Sequence, residues 1–138
     1  MRFRLPADVG AAVKAVRKLG TEKVFLVGSS MGGIATLIAA PGVSPPVDGV
    51  VSLSAPDHFR VLRAVPAVRR LRVPVLYVAS EEDRSGEYNF TAEARRMYEA
   101  TAAKDKRLEL LPGSAHGIEL LTGTARVAAL VEDFLRAH

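Results

Sequence analysis

The strongest constraint on this 138-residue chain is an order. Short apolar runs alternate with segments of helical periodicity from one end to the other. The run at residues 23–27, KVFLV, shows no alternation of polar and apolar residues, the pattern of a strand buried on both faces of a parallel sheet. Residues 48–53, 74–80 and 107–111 read as three further strands. Between and around them lie helical segments at residues 7–19, 31–40, 90–103 and 123–137. In the first, Val9, Ala12, Val13, Val16 and Leu19 form one apolar face, with Asp8 near its start and Gly20 at its end. In the last, Ala125, Val127, Leu130, Val131, Phe134 and Leu135 do the same. Residues 57–70 read as a weak basic helix or loop interrupted at Pro66. Alternation of this kind demands right-handed crossovers, so the expected fold is α/β. About four parallel strands carry helices on both faces, in a three-layer sandwich.

Composition sets the limits. Hydrophobic residues make up 49% and charged residues 25%, enough for one modest core, and no repeat or linker divides residues 1–138, which read as a single domain. There is no cysteine, which removes disulfides, thiolate metal sites and a cysteine nucleophile. The opening MRFRLPADVG has no apolar signal region, and no run approaches the roughly 18 apolar residues a bilayer span needs. A soluble, cytoplasmic protein is the expectation, with no membrane partner. The net charge of +4 comes from scattered Lys and Arg, and the three Tyr and five Phe do not interleave with them, so no nucleic-acid partner is expected.

Chemistry enters at the strand ends. Gly28-Ser29-Ser30-Met31-Gly32 fits G-x-S-x-G between a strand and a helix. A sharp turn there exposes a serine hydroxyl above the sheet edge, small residues two before and two after it let neighbouring backbone approach, and the helix N-terminus aims N–H groups at a forming oxyanion. Taken alone, the segment also suits a structural turn or a phosphate loop, but neither G-x-x-x-x-G-K-S/T nor G-x-G-x-x-G occurs. Asp83 follows the strand PVLYVAS, with Glu81, Glu82 and Asp57 as rival acids. His116 follows the last strand in a loop of small residues, with His58 and His138 in weaker positions. Ser30, Asp83 and His116, in that order and each just past a parallel strand, are the arrangement a nucleophile, an orienting acid and a general base require.

These segments resemble the α/β-hydrolase superfamily, and within it small cap-less esterases and dienelactone-hydrolase-like proteins. VFLVGSSMGG is similar to the family's fifth strand and nucleophile elbow, PVLYVASEED to its seventh strand and acid turn, and LELLPGSAHG to its eighth strand and histidine loop. The resemblance runs from about Asp8 to the C-terminus. It implies a serine hydrolase of small carboxylic esters acting through an acyl-enzyme, with Ser30 as nucleophile, His116 as base, Asp83 as acid and the Met31 amide in the oxyanion hole. No metal or organic cofactor is needed, and acyl transfer to an alcohol would use the same site. The family's first strands are missing from this stretch, as is the loop that normally brings the second oxyanion donor, whose loss elsewhere costs roughly 10²–10³ in rate. Two expectations follow. Residues Val24 to Val27 would form an exposed sheet edge, suited to a homodimer. The alternative function is a non-catalytic remnant that serves binding or assembly.

Overall fold

The computed structural model describes residues 4–138; Met1, Arg2 and Phe3 lie outside the described residues. Leu5–Lys18 form α1, which starts on Pro6, carries Asp8 in its first turn and Arg17 and Lys18 in its last, and so opposes its own dipole at both ends. Phe25–Ser29 is β1, Met31–Ala39 is α2 and Gly49–Leu53 is β2. A small hairpin follows, β3 at His58–Phe59 and β4 at Leu62–Arg63, and then the short α3 at Val65–Val68. Val75–Ser80 is β5. A second hairpin comprises β6 at Arg84–Ser85 and β7 at Tyr88–Asn89, and Phe90–Ala100 is α4. Lys106–Leu111 is β8, and α5 at Ile118–Gly123 and α6 at Ala125–Ala137 close the chain.

The four long strands form one parallel sheet in the order β1-β2-β5-β8, with Phe25 opposite Gly49, Val50 opposite Val75 and Val75 opposite Lys106. Side chains alternate between its faces. Leu26, Val50, Val75 and Tyr77 point toward one core with Val13, Ile34, Leu37, Val68 and Met97, from α1 to α4. Val51, Leu53, Leu76 and Val78 point toward the other with Leu120, Val127, Val131 and Phe134, from α5 and α6. All residues of β2 and β5 are buried, as expected of central strands. Each fully buried Val or Leu contributes about 1.5–3 kcal/mol, so the two central strands anchor the domain.

Four readings of the sequence change. β1 is the sheet edge, as the resemblance implied, but it is not covered on both faces: Val27 is 46% exposed because α5 and α6 lie over the inner strands. On that side Phe25 finds cover edge-on against Phe134 at 6.4 Å, and Ser29 is partly covered at the strand's far end. Leu19 is not part of the buried face of α1; it caps the helix, 85% exposed. Residues 57–70 are a hairpin followed by a short helix, and Pro66 opens α3 rather than interrupting it, since proline fits the first helical turn. The fourth change is at residues 101–103, where α4 has already ended and Thr101 is extended. No helix among the described residues is long and apolar enough to cross a membrane.

Candidate active site

β1 runs to Ser29 and α2 begins at Met31, so Ser30 by itself makes the turn. It does so at φ 51° and ψ −117°, a strained conformation for a residue with a side chain. Its own backbone holds it there: Ser30 N–H donates to Leu53 O at 2.8 Å, and its carbonyl accepts Ile34 N–H at 3.2 Å. The crowding that needs glycine lies at Gly28 and Gly33. A Cβ on Gly28 would sit 2.5 Å from Gly32 O, and one on Gly33 would sit 2.7 Å from Ala55 Cβ. A Cβ on Gly32 would meet nothing within 4 Å. The small residue required two after the serine is therefore not Gly32; the close approach falls one residue later, where α2 passes the loop after β2. Met31, 41% exposed as a residue, opens α2, and the first amides of a helix have no partner within it.

His116 lies between β8 and α5, in a loop that turns at Gly113 (φ 94°) and Gly117 (φ 61°). His116 Nε2 is 3.0 Å from Ser30 Oγ. His116 Nδ1 is 2.9 and 3.0 Å from the two carboxylate oxygens of Asp83. Asp83 is only 2% exposed, while the imidazole keeps 37% of its side-chain surface open. One face of that ring rests on Phe90, centroids 4.3 Å apart, and Phe90 N–H in turn donates to Asp83 O at 2.9 Å. The ring is thus held from its edge by the acid and from its face by an aromatic side chain.

The rivals are engaged elsewhere. Glu81 and Glu82 are exposed. Asp57 pairs with His58 and Arg96. His138 bonds to Asp105 at 2.6 Å and to Phe134 O at 2.8 Å. Three residues that sequence reasoning did not single out complete the surroundings. Ser54, fully buried at φ 51°, accepts Gly117 N–H on its hydroxyl at 2.8 Å. Ser80 donates its hydroxyl to Ala115 O at 2.7 Å. A Cβ on Gly117 would fall 2.6 Å from Ser29 Oγ, and its φ of 61° is a conformation that favours glycine. Only the glycine carried a signal in the sequence, as part of a loop of small residues; buried serines at strand ends look like any others.

A parallel sheet with a serine elbow after β1, an acid turn after β5 and a histidine loop after β8 has the layout of an α/β-hydrolase fold. The chain matches the dienelactone hydrolase family over residues 3–131, and it belongs to that family. Among solved structures it is similar to a dienelactone hydrolase from Anabaena variabilis, at 26% identity and TM-score 0.69, over 84% of this chain and 50% of that one. It thus spans about half the length of that relative. The fold is also shared with a Paleococcus ferrophilus monoacylglycerol lipase, at 18% identity and TM-score 0.74, covering 96% of this chain and 76% of that one. A third likeness is the esterase domain of a Rhodothermus marinus protein, at 23% identity and TM-score 0.71, covering 94% and 65%. No curated protein sequence matches the chain.

Proposed function

We propose that the protein is a serine hydrolase that cleaves small carboxylic esters through an acyl-enzyme. The observation that carries this reading is the unbroken chain from Asp83 through His116 to Ser30 Oγ, every link between 2.9 and 3.0 Å. In this reading Ser30 attacks the ester carbonyl while His116 Nε2 accepts its proton. The imidazolium then forms against the buried Asp83 carboxylate, which stabilises it and fixes the tautomer. The tetrahedral oxyanion lies against the Met31 amide at the positive end of α2. Collapse expels the alcohol, which takes the proton from His116. Water, activated by the same imidazole, then releases the acid. The dienelactone hydrolase and esterase relatives support an ester as the substrate class.

The test is an intact-mass shift on treatment with a fluorophosphonate probe, together with turnover of p-nitrophenyl acetate. Wild type gains one adduct and turns the ester over, whereas Ser30→Ala does neither while keeping its far-ultraviolet circular dichroism. A variant with undiminished turnover overturns the assignment. A folded wild type that never labels favours a binding or assembly role for the same fold.

We also propose that a second copy of the chain pairs along β1. The support is the edge position of this strand, the exposed Val27, and a groove of about 300 Å³ beside it lined by Val9, Val13, Val16, Val24 and Leu26. An uncovered apolar strand edge favours strand addition. Sedimentation velocity checks it: a dimer that Val27→Lys converts to monomer is expected, and a monomeric wild type removes the proposal.

A further inference from the structure

A second group of ionisable side chains converges where the loop after β2 meets α4. Asp57 and Glu93 are 7% and 3% exposed, and His58, with 40% of its side chain open, separates them from solvent. His58 Nδ1 is 2.8 Å from Asp57 Oδ1 and 3.2 Å from Glu93 Oε1. Glu93 Oε1 also accepts Asp57 N–H at 3.2 Å. Asp57 Oδ2 accepts from Arg96 Nη1 at 2.5 Å. Glu93 Oε2 is buried and meets no hydrogen-bond partner.

Two buried carboxyl groups in contact, one with an unmatched oxygen, call for a positive species between them. Arg96 offsets one charge only, and from the far side of Asp57. One donor atom from each of Asp57, His58 and Glu93 lies within 4.8 Å of the other two. Ligands held about 2.0–2.2 Å from a tetrahedral ion stand roughly 3.2–3.5 Å apart, so the two edges at His58, 2.8 and 3.2 Å, need to open only slightly to admit one. Arg96 on the outer oxygen of Asp57 is the second-sphere bond that orients a ligating carboxylate. One imidazole nitrogen with two carboxylates suits a borderline ion such as zinc better than calcium or magnesium, which prefer all-oxygen shells.

We propose that Asp57, His58 and Glu93 form a binding site for a single divalent transition-metal ion of the zinc class, separate from the reacting atoms. Bound there, the ion cross-links the loop after β2 to α4. It also clamps one end of an aromatic stack: His58 lies on Tyr88 at 5.2 Å, Tyr88 on Phe90 at 5.5 Å, and Phe90 against His116 at 4.3 Å. The ion is therefore a structural clamp behind the base.

The experiment is calorimetric titration of ZnCl₂ into the untagged full chain, stripped with chelator, at neutral pH, with melting temperature as a second readout. About one equivalent binds saturably and raises the melting temperature. His58→Ala, a change at a partly open side chain, abolishes both effects. His138→Ala, at the unrelated pair with Asp105, leaves them intact. Absence of saturable binding, or binding that survives His58→Ala and is lost in His138→Ala, overturns the proposal, and the first of these assigns the cluster to a shared proton. Neither readout uses esterase activity, and Ser30→Ala binds zinc like wild type, so failure here is distinct from failure of the hydrolase reading.

Discussion

Gly117 donates its amide to the buried hydroxyl of Ser54 at 2.8 Å, so the loop that carries His116 is tied to the end of β2. His116 thus takes its position from a strand that carries none of Ser30, Asp83 and His116. Ser54→Ala leaves that buried N–H without a partner, a cost of about 1–3 kcal/mol. The expected result is a lower urea midpoint, and turnover of p-nitrophenyl acetate that falls further than the loss of folded protein explains. If specific activity per folded molecule stays unchanged, Ser54 only stabilises the fold.

Asp83→Asn keeps the shape of the acid and removes its charge. The side chain is 3% exposed and faces His116 Nδ1 with both oxygens, so the amide must present its own N–H to the ring or turn away. Either outcome favours the wrong tautomer, and kcat should drop by roughly 10³–10⁴ with little change in melting temperature. A loss under tenfold would mean that another group orients the imidazole.

Gly33→Ala drives a new methyl to within 2.7 Å of Ala55 Cβ and 3.2 Å of Gly28 O. Overpacking of this kind costs typically about 1–3 kcal/mol. Because the nearest obstacle is one methyl group, the double variant Gly33→Ala with Ala55→Gly should recover most of the lost midpoint in urea. No recovery would place the clash in the elbow backbone instead. By contrast Gly32→Ala, which meets nothing within 4 Å, should be tolerated.

The Glu93 carboxyl gives a pH dependence with a definite sign. Its value is raised from 4.5 to about 7 by burial and by the Asp57 side chain, so between those two values the folded protein holds a proton that the unfolded chain has released. Its contribution to stability is greatest below the lower value, declines as pH rises through the window and is flat above it. In chelator-treated protein, Glu93→Gln should therefore gain stability relative to wild type as pH rises across the window, while still accepting the Asp57 amide. Urea midpoints at pH values on either side of the window check this; parallel curves for the two proteins would refute it.

How much of this was open to reading differs by element. The strands at 48–53 and 74–80 were legible because a parallel strand covered on both faces is continuously apolar, and β2 and β5 are buried throughout. β1 has the same composition, yet its outer side is bare. Composition cannot distinguish an edge strand from a central one, since neighbours that decide the matter are remote in the chain. The hairpins β3–β4 and β6–β7 went unread because two-residue strands carry no periodicity. Pro66 was ambiguous for a related reason: the residue that breaks a helix also begins one.

The sequence by itself determined the chemical inventory and its order: a serine, an acid and a histidine, each just beyond a strand, in a chain without cysteine. Local rules suffice for that, because strand, turn and helix signals are short-range. Only the tertiary structure decided which acid meets which histidine. Asp57 and Asp83 both follow parallel strands and both bond an imidazole, but only the imidazole on Asp83 also lies 3.0 Å from Ser30 Oγ. That choice depends on the sheet order β1-β2-β5-β8, on where each loop can return and on which side chains become buried. These are properties of packing between distant segments, and no stretch of the chain carries them alone.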